Sequence, residues 1–131
     1  MAGKPNHTRY EAIPPYTTKD GSTIRELMHP DGGAVRNLSV AEAVVLPGQA
    51  TLPHIHLVSE EVYHVVAGEG RMTLGERTFA VVAGDTVVIA PGTCHSIATV
   101  GATPLRILCC CAPPYRHEET SLAGAIEPTT I

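Results

Sequence analysis

The chain has 131 residues and a formal net charge of −4, from 13 acidic against 9 basic side chains, so it offers no basic stripe that could follow the phosphates of a nucleic acid. Its length predicts a single domain with one core that needs no disulfide bonds. The 12 glycines and 11 prolines in a chain that is 44% hydrophobic and has no tryptophan are typical of short strands joined by tight turns, which indicates an all-β fold.

The cysteines and the N-terminal residues bear on the compartment. Cys109, Cys110 and Cys111 are consecutive, and neighbouring cysteines bridge poorly, so we expect reduced thiols. Residues 1–15 contain neither the apolar run of a signal peptide nor a membrane span. The sequence therefore predicts a cytoplasmic protein without a membrane anchor.

Three segments follow one another along the chain. Residues 1–20 are polar and are expected to form an N-terminal arm whose first few residues are disordered. Residues 21–115 are predicted to form a single barrel, and residues 116–131 a mostly polar tail, with one short helix, that packs outside the barrel or frays. No helical period competes with the strand pattern, because turn residues recur every few positions.

The strands of the barrel are predicted from alternating apolar residues bounded by turn residues. The first of them, residues 22–28, could pair with its own barrel or cross to a second subunit. A closed or double-sheet barrel is expected because closure protects edge strands. The predicted strands are residues 22–28, 38–46, 50–55, 62–66, 71–74, 77–82, 86–90, 95–100 and 104–111.

Two histidines on one predicted strand begin a candidate metal site. His54 and His56 are two residues apart, and side chains on a strand alternate between faces, so both imidazoles project from the same side. Glu61 would lie on the opposite face of an unbroken strand. A corner at residues 57–60 returns Glu61 to the side of the histidines, whereas Glu60 should point to solvent or lie in the corner. A lone histidine is more often structural, but this grouping indicates metal binding.

Two stretches resemble the two signatures of the cupin family. They are residues 48–68, GQATLPHIHLVSEEVYHVVAG, and residues 84–95, GDTVVIAPGTCH. The resemblance covers residues 48–99 and implies a double-stranded β-helix, the jelly-roll barrel of the cupins. Ala90 stands where the family commonly has proline and Thr99 where it often has asparagine, and neither position is a ligand.

The resemblance also implies the ligands of one metal ion, namely His54, His56, Glu61 and His95. Three imidazole nitrogens and one carboxylate oxygen suit a divalent transition metal. The candidates are Fe, Mn, Ni, Co, Cu and Zn, and a five- or six-coordinate ion keeps one or two positions open for water or substrate. A metal-free relative that binds an organic ligand through the same pattern is the alternative.

Other residues around the predicted site have two interpretations each. Tyr63 shares the face of Glu61, where its phenol could donate a hydrogen bond beside the ion or only fill the barrel. Cys94, Cys109 and Cys111 are expected to pack as small apolar side chains, because nothing indicates a low thiol pKa. The remaining histidines are expected at the surface: His7, His29, His64 and His117.

Strand parity also predicts the apolar lining of a substrate cavity. Met72 and Leu74 share one face of their strand, Val87 and Ile89 share one face of theirs, and Ile97 is in phase with His95. An apolar cavity around a polar ion is typical of a small-molecule site.

The function that follows is a metal-dependent enzyme acting on a small organic molecule, as an oxygenase or an enolising isomerase or lyase. A non-catalytic sensor or storage module, and a sugar or sugar-phosphate isomerase, are the alternatives. An ion that only braces the barrel is a further possibility. The resemblance implies a homodimer, and no nucleic acid or membrane is expected as a partner.

Overall fold

The computed structural model describes residues 3–123, which form two antiparallel β-sheets. Two short 3-10 helices, Tyr10–Ala12 and His117–Glu119, flank the strands. The strands are β1 (Tyr16–Thr17), β2 (Thr23–Met28), β3 (Ser39–Val45), β4 (His54–His56), β5 (Glu60–Ala67), β6 (Glu69–Leu74), β7 (Arg77–Val82), β8 (Thr86–Ile89), β9 (His95–Val100), β10 (Leu105–Ala112) and β11 (Thr120–Leu122).

The strand order of the two sheets is that of a double-stranded β-helix. One sheet has the order β1-β2-β3-β10-β5-β8 and the other has the order β11-β4-β9-β6-β7. From β3 to β11 successive strands alternate between the sheets, except that β6 and β7 form a hairpin within one of them, and the two sheets enclose one core. The all-β jelly-roll prediction is confirmed.

Most predicted strands lie close to their predicted bounds, but the one that carries the first histidines is shorter. It was expected over residues 50–55 and is regular only over His54–His56. Pro53 has no N–H to give to a ladder, and the N–H groups just before it bond elsewhere: Thr51 donates to the Ile97 carbonyl and Leu52 to the Asp20 carbonyl. The segment before His54 therefore ties two other parts of the chain together.

Inward residues of β3 and β10 explain why the barrel contains a cavity. Both strands alternate strictly between inner and outer faces. The inward positions of β3 include Ala41 and Ala43, which are buried and small. The core beside β6 and β8 holds larger side chains, such as Met72 and Ile89, which are fully buried. Space inside the barrel is therefore left next to β3.

The segments on either side of the barrel are also part of the sheets. Strand β2 pairs with β3 of the same chain, and β1 pairs with β2. Strand β11 pairs with β4, with Thr120 opposite His56. The tail therefore differs from the fraying or externally packed segment that the sequence predicts, at least up to residue 123. Predictions for residues 1–2 and 124–131 lie outside the described residues, and the domain boundaries stay predictions.

None of the helices in residues 3–123 is both long and apolar enough to cross a membrane. The homodimer stays a prediction, because the structure describes one copy of the chain.

The turn between β5 and β6 allows a test of the packing. Gly68 has φ +85°, and a Cβ there would lie 2.6 Å from the Pro104 carbonyl oxygen. Gly75 has φ +61° with no atom within 4 Å of a Cβ. Gly75→Ala should cost about 1–2 kcal/mol for the left-handed backbone alone. Gly68→Ala should cost about 3 kcal/mol or more in urea denaturation, because backbone atoms must also shift. Equal losses in the two variants would contradict this packing.

Candidate metal centre

Three imidazoles meet inside the barrel at the ends of β4 and β9. His54 and His95 are direct partners across the two strands, and their ring centroids lie 4.2 Å apart. His56 completes the group, with its ring 5.1 Å from that of His54 and 5.3 Å from that of His95. All three side chains are buried. One ligand nitrogen from each lies within 4.8 Å of the other two, close enough to hold one metal ion.

Two of the imidazoles are oriented by backbone carbonyls. His54 Nδ1 lies 2.8 Å from the Leu52 carbonyl oxygen, and His95 Nδ1 lies 2.9 Å from the Thr93 carbonyl oxygen. A carbonyl oxygen can only accept, so each Nδ1 carries a proton. In the neutral ring Nε2 is then unprotonated, and its lone pair is available to a metal ion.

The third imidazole is oriented by the C-terminal strand. His56 Nδ1 lies 3.0 Å from the Thr120 hydroxyl. That hydroxyl donates its own proton to the Arg116 carbonyl at 3.1 Å, so it accepts from Nδ1. The Nε2 atom of His56 is therefore also unprotonated and presents a lone pair. Thr120 lies in the tail, and its role could not be read from the sequence.

Glu61 brings an anionic oxygen to the imidazoles. The chain bends at Leu57 and Val58, so that Glu61 is buried while Glu60 is exposed. Glu61 Oε1 lies 3.1 Å from His56 Nε2 and 3.4 Å from His95 Nε2. Burial alone would raise the pKa of Glu61, but hydrogen bonds donated by these two imidazoles when their Nε2 atoms carry a proton outweigh it and lower the pKa to about 2. A cation bound in place of those protons would likewise hold the carboxylate ionised.

The second carboxylate oxygen is held by a thiol from β10. Cys111 Sγ donates to Glu61 Oε2 at 3.2 Å. Burial, and then the charge and hydrogen bond of Glu61, raise the pKa of Cys111, so the thiol keeps its proton. Because Oε2 is occupied, Oε1 is the oxygen that faces the imidazoles.

These atoms fit a bound cation. Glu61 Oε1 and His95 Nε2 are buried and have no hydrogen-bond partner among residues 3–123, and an unsatisfied buried polar group costs about 1–3 kcal/mol. The three Nε2 lone pairs and the carboxylate oxygen are all acceptors, so they cannot satisfy one another. A divalent transition metal held by the three imidazoles would satisfy their Nε2 atoms, and imidazole nitrogen is among its preferred donors.

Sequence reasoning missed a second carboxylate at this site. Asp20 is 8% exposed, and its Oδ2 lies 3.4 Å from His54 Nε2. It lies in the segment predicted as an arm, where the Asp20-Gly21 pair signals a turn and nothing more. Only the pairing of β1 with β2 brings this turn to the mouth of the barrel.

The cavity beside the imidazoles is small and its apolar part comes mostly from β2, β3 and β10. Its volume is about 40 Å³. Its apolar lining includes Ile24, Ala41, Ala43, Val45, Ile97 and Ile107.

Of the five predicted lining residues, one borders this cavity. Ile97 lines it, whereas Met72 and Ile89 are buried in the core, and Leu74 and Val87 are half-buried against that core. Strand parity predicts that these side chains point inward. It does not give the order of the strands across the sheets: these four residues lie on β6 and β8, whereas the apolar part of the cavity lies mostly against β2, β3 and β10.

Tyr63 does line the cavity, on the same side of β5 as Glu61. Its ring packs edge-on against that of His95, with centroids 5.8 Å apart. Burial first, and then the charge of Glu61, raise the pKa of Tyr63 well above its usual value. The phenol therefore stays protonated and can act as a hydrogen-bond donor.

The remaining histidines lie away from the three imidazoles. His7, His64 and His117 are exposed. His29 is half-buried, which differs from the surface position expected, and its Nε2 donates to the Tyr115 carbonyl at 2.8 Å.

The cysteines of β10 alternate as parity predicts. Cys109 and Cys111 are buried and Cys110 is exposed. All four cysteines of the chain, including the half-buried Cys94, are free thiols.

The sequence profile described as "Cupin domain" matches residues 41–111. This is more than half of the chain, so the chain belongs to the cupin domain family. The resemblance of the two signatures is confirmed.

Two related sequences match this chain over very different shares of their own length. The chain is 50% identical over 115 residues to the uncharacterized protein MJ1618 of Methanocaldococcus jannaschii, covering 88% of this chain and 92% of that one. It is 32% identical over 73 residues to the mannose-1-phosphate guanylyltransferase RfbM of Salmonella typhimurium. That match covers 56% of this chain but 15% of the enzyme, so it spans a small part of the enzyme's length.

Among solved structures, the oxalate decarboxylase of Lactobacillus farciminis in its formate complex superposes with a TM-score of 0.76. The two chains are 23% identical, and the match covers 86% of this chain and 34% of the decarboxylase. At this identity the likeness establishes the shared fold.

The thiol that holds Glu61 can be tested by substitution. Cys111→Ala removes the donor to Oε2, and loss of such a supporting hydrogen bond typically weakens metal binding about 10–100-fold. Cys111→Ser keeps a donor and should bind with an affinity close to that of the wild type. Cys110→Ala, at the exposed neighbour, is the control. Affinity for Co²⁺ is measured by competition with a chelator, and equal affinities for the alanine and serine variants at position 111 would contradict the role of the hydrogen bond.

Burial of His54 predicts a pH dependence of the metal-free protein. Burial first, and then the charge of His95, lower the pKa of His54, against smaller opposing effects of Asp20 and the Leu52 carbonyl. The unfolded chain then binds a proton near pH 6.5 that the folded protein does not take up. The stability is therefore full above about pH 6.5 and falls as the pH is lowered below it.

Urea denaturation in a chelator at pH 7 and pH 5 measures this effect. The loss for the wild type should be larger, by on the order of 1 kcal/mol, than that for His54→Gln. His64→Gln, at an exposed position, should behave as the wild type does. A wild-type loss no greater than that of His54→Gln would rule out the effect.

Proposed function

We propose that the protein is a metal-dependent enzyme in which one divalent transition metal ion is held by His54, His56, Glu61 and His95. The observation that carries this proposal is the convergence of three unprotonated Nε2 atoms and an ionised carboxylate oxygen in a buried space. When bound, such an ion supplies Lewis-acid or redox chemistry. Fe, Mn, Ni, Co, Cu and Zn all accept these donors.

The substrate is a small organic molecule with an oxygen that reaches the ion. A cavity of about 40 Å³ has room for about three water molecules. The part of the substrate that enters it is therefore short. The apolar walls from β3 and β10 exclude water from that part. Tyr63 Oη holds a proton that it can share with a substrate oxygen, and Glu61 stays anionic beneath the imidazoles.

A phosphorylated sugar fits this cavity less well. Lys19 is the one lysine or arginine that lines it among residues 3–123. Its Nζ already donates to the carbonyls of His117 and Thr120, at 3.0 and 2.6 Å. Within the described part of the chain, the lining contains no guanidinium that could bind a phosphate bidentately. The cavity therefore favours an oxygenase, or an enolising isomerase or lyase, acting on a small molecule, over a sugar-phosphate isomerase. The relationship to RfbM, which is named for a sugar phosphate, is the observation on the other side.

Two neighbouring glutamates test the ligand set. Glu61→Gln replaces the anionic donor by a neutral amide and should weaken Co²⁺ binding more than about 100-fold, since even supporting residues are worth about 10–100-fold. Glu60→Gln makes the same change on an exposed side chain next to it and should leave the affinity unchanged. Both are measured by competition with a chelator at pH 7. A Glu61→Gln affinity within about twofold of the wild type would refute the ligand role.

The same pair of variants tests catalysis. Metal-loaded wild type and Glu60→Gln should exchange the α-protons of small keto or hydroxy acids with D₂O, or consume O₂ in their presence, and Glu61→Gln should do neither. Binding of these compounds to the metal-loaded wild type without exchange or O₂ uptake would instead indicate a sensor or storage module.

A further inference from the structure

The turn before β2, Thr18–Ser22, contributes to the lining of the cavity and is built around one buried carboxylate. It joins β1 to β2, and Gly21 takes φ +91° to complete it. Asp20 Oδ1 accepts three hydrogen bonds within the turn: from the Ser22 backbone N–H at 2.9 Å, the Ser22 hydroxyl at 2.6 Å and the Thr18 hydroxyl at 2.7 Å. One carboxylate oxygen is therefore fully occupied, and its position fixes the other.

The other oxygen, Oδ2, is directed at the imidazoles. It lies 3.4 Å from His54 Nε2, and no hydrogen bond to it comes from residues 3–123. His54 donates through Nδ1 to the Leu52 carbonyl, so its Nε2 presents a lone pair. Two acceptor atoms thus face each other, at the same 3.4 Å that separates Glu61 Oε1 from His95 Nε2.

Leu52 couples the turn to the metal site. Its N–H donates to the Asp20 carbonyl at 2.7 Å, and its carbonyl accepts from His54 Nδ1 at 2.8 Å. Lys19 is also in the turn, and its Nζ donates hydrogen bonds to the carbonyls of His117 and Thr120. Thr120 in turn orients His56. The turn is therefore fixed to the same atoms that aim the imidazoles.

We propose that Asp20 is a fifth protein ligand of this ion, through Oδ2. Adjacent donors on an ion with bonds of about 2.1 Å lie roughly 3 Å apart, close to the separations seen on both sides of the site. Asp20 stands beside His54, and Glu61 stands beside His56 and His95. The inference rests on the proposed metal site.

Five protein donors narrow the chemistry of the site. Two carboxylates balance the charge of a divalent ion, and carboxylate oxygen favours the harder metals. Three imidazoles and two carboxylates suit a six-coordinate ion such as Mn²⁺ or Fe²⁺ better than four-coordinate Zn²⁺. A six-coordinate ion held by these five side chains would keep one position for a substrate atom.

Asp20→Asn tests the proposal with little disturbance of the turn. The amide oxygen can still accept from Ser22 and Thr18, while the amide nitrogen takes the place of Oδ2 and cannot bind the ion. The control is Asp31→Asn, at a carboxylate that is 75% exposed and pairs with Arg116 on the surface. The metal-free Asp20→Asn protein should melt at the wild-type temperature or above, because an amide N–H then faces the lone pair of His54 Nε2 in place of the second acceptor, Asp20 Oδ2.

Co²⁺ binding to the wild-type protein and to both variants is measured by competition with a chelator and by the visible absorption spectrum of the bound ion. Asp20→Asn should bind at least about tenfold more weakly, with a changed spectrum, while Asp31→Asn matches the wild type. An affinity within about twofold of the wild type would overturn the proposal. A weaker affinity with the wild-type spectrum would also overturn it, since Asp20 would then act only through His54.

A crystal structure of the Co²⁺-loaded wild type tests the same point without a variant. The ion should lie about 2.0–2.2 Å from Asp20 Oδ2, and a separation greater than about 4 Å would contradict ligation. If the wild type binds no Co²⁺ at all, the proposed metal site fails and the role of Asp20 with it. If it binds the ion through the four other ligands alone, only the role of Asp20 fails.

Discussion

The three Nδ1 hydrogen bonds are the interactions on which the site depends. Carbonyls of Leu52 and Thr93 and the hydroxyl of Thr120 each accept one of them. They fix the ring orientations and leave three Nε2 lone pairs directed at one point, next to an ionised Glu61. Acceptors gathered in this way repel one another unless a cation lies between them. Strands β4, β5, β9 and β11 of the barrel hold these groups in place.

Much of the fold and part of the site were predictable because they follow from local rules. Alternation and turn residues gave the strands, and the strand period separated the buried Glu61 from the exposed Glu60. The same period separated Cys109 and Cys111 from Cys110. His54 and His56 share a face because they are two residues apart. Their meeting with His95 depends on the pairing of β4 with β9, which the family resemblance implied and the residues alone did not.

The rest depends on contacts between distant parts of the chain. Thr120 reaches His56 only because the tail pairs with β4, and Asp20 reaches His54 only because the turn before β2 folds over the barrel mouth. Parity likewise predicted inward side chains such as Met72, but not whether they border the cavity. The cavity lies instead where β3 carries small alanines. Which inward residues border the cavity depends on the order of the strands across the two sheets, which the pattern of one strand does not contain.

The claim that this arrangement is a metal centre is tested most directly by the metal content of the wild-type protein. Protein purified without an affinity tag, and reloaded anaerobically, is analysed for transition metals by mass spectrometry, with anomalous scattering at the metal's absorption edge to locate the ion in crystals. The account predicts about one equivalent per chain, centred between the three Nε2 atoms and Glu61 Oε1. Less than about a tenth of an equivalent of any transition metal after reloading would contradict it.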